Sequence, residues 1–65
     1  MTIFIILDGE TYKSKSTDEA EAAETSEKFY DMAAKMDRFK MELENGDFLV
    51  LGKDAIQRAH IILRA

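Results

Sequence analysis

The chain has 65 residues, enough for one domain with a thin hydrophobic core. Its 13 acidic and 9 basic side chains give a net charge of −4, so simple binding to a nucleic-acid backbone is not expected. Cysteine is absent, which excludes disulfides and cysteine-ligated metals. No run reaches the roughly 20 apolar residues of a membrane span. The segment Ile3 to Leu7 is too short, and lacks the basic start, to be a signal peptide. We therefore expect one soluble domain over residues 1–65, with no cofactor and no membrane contact.

Residues 2–7, TIFIIL, are β-branched or aromatic and predict a strand. The strand is apolar on both faces, because Ile3 and Ile5 lie on one face and Phe4 and Ile6 on the other. Strands buried on both sides are usually central in their sheet.

Asp8-Gly9 follows as a strong turn signal, and residues 10–15, ETYKSK, return as a polar strand. A two-residue turn sets Ile5 opposite Tyr12, which places Tyr12 on the core face. The remaining polar residues predict an edge strand.

Ser16 to Asp37 predicts the one long helix. Ser16 can act as N-cap with Glu19 three residues on, the spacing of a capping box. The apolar arc is wide, which suits a helix that lies on a sheet. It consists of two adjoining stripes, Ala20, Ala23, Tyr30 and Ala34, and Phe29, Met32, Ala33 and Met36.

Residues 39–44 allow two interpretations. Apolar spacings of 3, 4, 3 and 4 from Phe29 to Leu43 would carry the helix on to residue 44. Alternation of apolar and charged residues predicts a strand instead, with Asn45-Gly46 as a hairpin turn. We favour the hairpin.

A two-residue turn in that hairpin fixes which side chains face the core. It places four apolar residues on one face, Met41, Leu43, Phe48 and Val50. Leu49 and Leu51 then point the opposite way, and Glu44 faces Asp47, a like-charge pair that counts against this register.

After Gly52, residues 53–59 suggest a short helical turn. Residues 60–63 suit either a further strand or the end of one longer helix.

Candidate chemical groups are few. His60 is the only histidine, and no second histidine or cysteine completes a metal site. Neither a phosphate-binding glycine loop nor a nucleophilic triad is present in the sequence pattern, so we expect no enzyme activity. An acidic cluster at the helix start suits the helix dipole, and would also suit an inhibitor that imitates nucleic acid. Its members are Asp18, Glu19, Glu21 and Glu24.

The first half of the chain carries a more specific pattern. The turn LDGET, the TxEA motif at the helix start and the TxEK motif at the helix centre resemble the immunoglobulin-binding B-type domain of streptococcal protein G. The resemblance covers residues 1–34 without a gap and ends there, which leaves a natural and an engineered origin both open. The matching positions are Thr2, Ile6, Leu7, Gly9, Thr11, Lys13, Thr17, Glu19, Ala20, Ala23, Thr25, Glu27, Lys28 and Ala34.

The resemblance implies an α+β fold of the β-grasp type, ββαββ, in which one long helix packs on a small mixed sheet. The first and fourth strands would be parallel at its centre. A short C-terminal helix or strand extension has no counterpart in that family. The resemblance also implies antibody Fc binding through the helix and third strand, with Glu27 and Lys28 at matching positions. Asp31 stands where the family has a lysine, and Leu43 is the nearest substitute for its third-strand tryptophan.

In a β-grasp sheet the helix covers one face and the other face is wet. Here the wet face would carry Phe4, Ile6, Leu49 and Leu51. An apolar patch of this kind usually marks a partner or a cover. We expect either the extension, through Ile56, Ala59 and Leu63, or a second copy of the chain to cover it.

We therefore expect a small non-enzymatic protein–protein interaction module whose partner is another protein or a second copy of itself. The candidate binding residues are Glu27, Lys28 and Asp31 on the helix and Phe4, Ile6, Leu49 and Leu51 on the sheet. The alternatives are a small homodimeric structural or regulatory protein, and an acidic nucleic-acid mimic of bacterial or phage origin.

Overall fold

Five strands and two helices follow one another along the 65 residues, all of which the computed structural model describes. In chain order they are β1 (Thr2–Leu7), β2 (Glu10–Lys13), α1 (Glu19–Lys35), β3 (Phe39–Glu42), β4 (Phe48–Leu51), α2 (Lys53–Arg58) and β5 (His60–Arg64). The fold is α+β, as expected, and the C-terminal segment is a short helix followed by a strand.

The strands form two antiparallel sheets, ordered β2-β1-β5 and β3-β4. A single bridge between Ser14 and Leu43 links the end of β2 to the end of β3. Lys15 N beside it donates to Glu42 O at 3.2 Å. This link lets both sheets contribute one inner face to a common core.

The parallel pairing of the first and fourth strands, which the resemblance implied, does not occur. β1 lies at the centre of its sheet, but its second neighbour is β5, and β4 pairs only with β3. The C-terminal extension occupies the position beside β1 that the resemblance assigned to the fourth strand. Its Ile61 and Leu63 pair with Ile5 and Ile3, and all four side chains point into the core.

The first hairpin has the predicted register, with Ile5 opposite Tyr12, and Tyr12 packs against the core. Asp8 and Gly9 turn the chain with φ values of 50° and 85°, the left-handed backbone that a two-residue hairpin turn requires.

Helix α1 begins two residues later than the capping-box pattern predicted. Asp18, rather than Ser16, is the N-cap, and its Oδ1 accepts a hydrogen bond from Glu21 N at 2.8 Å. The spacing of the cap is the predicted one, displaced along the chain, and a carboxylate suits the helix dipole better than a hydroxyl.

The buried face of α1 is narrower than predicted. Ala22 and Phe29 are buried, with Met32 and Ala33 packed beside them. The first predicted stripe is wrong, because every member of it is exposed: Ala20, Ala23, Tyr30 and Ala34.

Helix α1 ends at Lys35, so the continuous helix through residue 44 does not form. Met36 adopts the left-handed conformation, with φ 55° and ψ 40°, and Asp37 N donates to Met32 O at 2.9 Å. This reversal leaves Phe39 free to begin β3, as the strand interpretation predicted.

The second hairpin forms, but its register differs from the prediction by one residue. Met41 faces Leu49, and Leu43 N donates to Asp47 O at 2.7 Å around the three-residue turn 44–46. Gly46 closes this turn with a φ of 90°, which glycine adopts without steric cost. Three-residue hairpin turns commonly place such a residue before the returning strand.

A shift of one residue exchanges the two faces of a strand. Leu51 is therefore buried, at 2% exposed, whereas Phe48 and Val50 point outward at 57% and 55%. The predicted inward positions of Phe48 and Val50 are wrong. The observed register also removes the like-charge pair, since Glu44 instead meets Lys13 at 3.3 Å.

The core lies between α1, α2 and the inner faces of both sheets. It consists of Ile3, Ile5, Ala22, Phe29, Phe39, Met41, Leu51 and Ile56. Phe29 and Phe39 meet edge to face at 5.4 Å, which joins α1 to β3. Gln57 Nε2 donates to Ala33 O and ties α2 to the end of α1.

The register of the second hairpin predicts opposite responses at adjacent positions. Leu51→Ala should lower the free energy of unfolding by about 2–4 kcal/mol, because it leaves a cavity in the core. Val50→Ala should change it by less than about 0.5 kcal/mol, because the side chain is exposed. Urea denaturation of both variants measures the difference. A larger loss for Val50→Ala would contradict the register.

The left-handed end of α1 predicts a stabilising substitution. Met36→Gly should raise the free energy of unfolding by about 0.5–1 kcal/mol, because glycine removes the steric cost of φ 55° and little burial is lost. Lys35→Gly, one residue earlier in regular helix, is the control and should lose about 1 kcal/mol. Equal effects of the two changes would exclude a left-handed cap at Met36.

Candidate protein-binding surface

The three helix residues of the predicted site are all exposed on α1. Glu27, Lys28 and Asp31 take part in no side-chain hydrogen bond and no ion pair. Lys28 borders the groove between α1 and β3, whereas Glu27 and Asp31 do not. The structure therefore connects only Lys28 to a concave surface.

The four sheet residues of the predicted site are divided between two faces. Phe4 and Ile6 lie half-buried on the outer face of β1, as predicted. Leu49 and Leu51 are inward, because of the one-residue shift in the hairpin, so their assignment to an outer patch is wrong. The predicted four-residue patch does not exist.

The extension also does not cover the outer face of β1. Ile56 is in the core, and Ala59 and Leu63 pack against it. Instead, β5 adds Ile62 beside Phe4 on the same face, and none of Phe4, Ile6 and Ile62 packs against the core. We call these three residues the outer sheet face. The guanidinium of Arg64 lies 5.6 Å from the Phe4 ring and shields part of it.

Phe48 and Val50 form a second apolar surface, which the sequence interpretation placed in the core. They are side by side on the outward face of β4, and both are more than half exposed. The signal that could have identified them was the conflict between Glu44 and Asp47 in the two-residue turn. That conflict disappears when the turn has three residues.

Lys40 extends this surface across the hairpin. It is paired with Val50 in the β3–β4 register, and its Nζ lies 4.4 Å from the centre of the Phe48 ring. A lysine over an aromatic ring is held by a cation–π attraction, so the ammonium group of Lys40 lies above β4.

Lys40 borders all three hollows of the surface, two of which it shares with Arg38. One, of about 470 Å³, is bordered by Asp37, Arg38, Lys40 and Val50. The other, of about 260 Å³, lies between α1 and β3 and is bordered by Lys28, Met32, Arg38, Phe39 and Lys40. Because Arg38 and Lys40 border both, the surface is continuous. We call Lys28, Arg38, Lys40, Phe48 and Val50 the hairpin surface.

A third hollow, of about 350 Å³, lies where β1, β2, β3 and the start of α1 meet. Polar side chains border most of it, and Lys40 borders it together with the exposed carboxylates of Glu21 and Glu42. Ser14 Oγ, the one buried polar side chain, accepts from Ile3 N and donates to Lys15 O, both at 2.9 Å. No buried side-chain polar atom in the chain is left without a hydrogen-bond partner.

The chain contains two ion pairs. Lys13 meets Glu44 at 3.3 Å and Arg58 meets Asp8 at 3.1 Å. The hydrogen bond and charge of Asp8 raise the pKa of Arg58 above its ordinary value. Both pairs are exposed, so each adds little to stability, although each ties a turn to a neighbouring element. Neither pair includes a residue of the hairpin surface.

The remaining candidate groups are separate from these surfaces. The acidic cluster is exposed at the start of α1, where Asp18 caps the helix. His60 is exposed and faces Ile6 across the sheet. No three His, Cys, Asp or Glu side chains lie together as a metal site would require. Neither helix has the length and apolar character needed to cross a membrane.

No protein-family model, curated protein or solved structure matches the chain.

Proposed function

We propose that the chain is a non-catalytic protein-binding module that takes an extended segment of its partner alongside β4. The observation that carries this proposal is the open edge of β4, where Phe48 and Val50 are exposed at 57% and 55%. β4 has β3 as its only strand neighbour.

The backbone of β4 has free groups on that edge. Antiparallel pairs alternate between hydrogen-bonded and non-bonded positions. Since Leu43 N donates to Asp47 O, the backbones of Asp47 and Leu49 point toward β3, and those of Phe48 and Val50 point away. No other hydrogen bond uses the outward groups.

The other three edge strands carry the charges that usually prevent strand pairing. β2 contains Glu10 and Lys13, β3 contains Lys40 and Glu42, and β5 ends in Arg64. β4, with the sequence FLVL, has no charged residue. An apolar edge with free backbone groups is the arrangement used in recognition by strand addition.

A second candidate is a homodimer through the outer sheet face. Phe4, Ile6 and Ile62 support it, because neither helix covers them. A relationship to protein G, immunoglobulin binding and nucleic-acid mimicry stay predictions from the sequence.

The strand-addition proposal predicts that a proline on β4 abolishes binding. Peptides selected on the wild-type chain from a random display library should lose about tenfold or more in affinity for Val50→Pro, because proline removes a donor and blocks the edge. The hairpin itself should persist, since this N–H points away from β3. Val50→Thr, which keeps the donor, is the control and should bind within about threefold of wild type. Selected peptides that bind Val50→Pro as well as wild type would contradict strand addition.

The homodimer candidate predicts a mass that depends on concentration. Light scattering on a sizing column should show a dimer that Phe4→Thr converts to a monomer, because the polar side chain replaces apolar contact area. Val50→Pro should leave that dimer intact. A monomer at every concentration excludes the homodimer, and a dimer lost in Val50→Pro alone assigns self-association to β4 instead.

A further inference from the structure

The hairpin surface is basic in an acidic protein. Lys28, Arg38 and Lys40 border the groove between α1 and β3, and none of them is in an ion pair. The chain has 13 carboxylates for 9 cations, so unpaired cations are not forced by composition. Three of them at one groove, without counter-charges, form a local site for an anion.

Asp37 is the only carboxylate that borders either hollow. Its Oδ1 accepts a hydrogen bond from Arg38 N at 2.7 Å, so it is held against the backbone. Counting Lys28, Arg38 and Lys40 against Asp37, the two hollows keep an excess of positive charge.

Charges of both signs lie beside β4. Next to Val50 are Arg38 and Asp37, whereas the Nζ of Lys40, the β3 partner of Val50, lies over the Phe48 ring. Next to Phe48 are its partner Glu42 and the preceding Asp47. A segment that lies along β4 therefore passes two cations, Arg38 near Val50 and Lys40 over Phe48.

We propose that the segment which binds β4 is an acidic peptide, with aspartate or glutamate side chains that reach Arg38 and Lys40. This inference rests on the proposed function and specifies the chemistry of its partner. The carboxylates of the peptide form ion pairs with Arg38 and with Lys40, whose ammonium group lies above β4. Lys28 borders the adjoining groove between α1 and β3, where Met32 and Phe39 supply apolar surface and no β4 residue takes part.

The partner is a protein segment rather than a nucleic acid. A polyanion that extended beyond the groove would meet Glu27 and Asp31 on α1 and Asp47 at the end of the hairpin. Sustained phosphate contact needs a basic surface, and this chain has a net charge of −4. One or two carboxylates on an apolar strand match a basic site of limited size.

The test uses two labelled peptides of alternating valine and threonine, one with glutamates at both ends and one with glutamines there. Because the order of the peptide relative to β4 is not fixed, both ends carry the charge. At low salt the glutamate peptide should bind wild type about five- to tenfold more tightly than the glutamine peptide. Added salt should reduce this ratio, because the cations are exposed.

The double variant Arg38→Gln/Lys40→Gln should bind both peptides equally. Lys15→Gln/Lys35→Gln is the matched control, because it removes the same charge from exposed lysines outside the hairpin surface, and it should keep most of the ratio. An equal ratio in the two double variants would overturn the inference.

The outcomes of these binding measurements also distinguish a failure of the acidic-peptide inference from a failure of strand addition. Equal binding of both peptides to wild type, with loss in Val50→Pro, overturns the acidic partner and leaves strand addition in place. No binding of either peptide at the highest soluble concentration overturns both. A single-stranded oligonucleotide that binds wild type in place of the glutamate peptide, and is lost in Arg38→Gln/Lys40→Gln, overturns the protein partner in favour of a nucleic acid.

Discussion

The pairing of β1 on both of its edges is the constraint on which the rest of the structure depends. β1 carries large apolar side chains on both faces, and Ile3 and Ile5 are almost completely buried. A strand of this kind has no stable place at an edge. β2 reaches one edge through a tight local turn, but the other edge must be closed by β5, from the far end of the sequence. Once β5 occupies it, β4 is left on the outside of the second sheet with an open edge.

Local signals predicted the first half of the fold. The strand, the turn at Asp8-Gly9 and its register depend on residues within one hairpin, and the sequence patterns identified all three. The second hairpin was predicted as a hairpin but in the wrong register, because β4 is apolar at every position. Hydrophobic alternation cannot choose between two faces that are equally apolar. Turn geometry at Gly46 and the Lys13–Glu44 contact decide it instead.

The same ambiguity explains which exposed residues the sequence could identify as candidates for binding and which it could not. Phe4, Ile6 and Lys28 could be placed on the surface because their elements were assigned correctly. Phe48 and Val50 could not, because their exposure depends on a single turn residue. Arg38 and Lys40 were missed because the net charge of −4 is a sum over the whole chain and does not reveal a local group of cations. A net charge describes solubility, whereas a partner meets the charges within a few ångströms of one groove.

The apolar character of both faces of β4 has an evolutionary consequence. Loss of one residue from the turn 44–46 would shift the hairpin by one position and exchange its faces. Leu49 and Leu51 would become the outward pair, and Phe48 and Val50 would replace them in the core. The strand itself would not need to change. A single deletion in a surface loop could therefore give the domain a different contact surface, while the volume of its interior stays nearly constant.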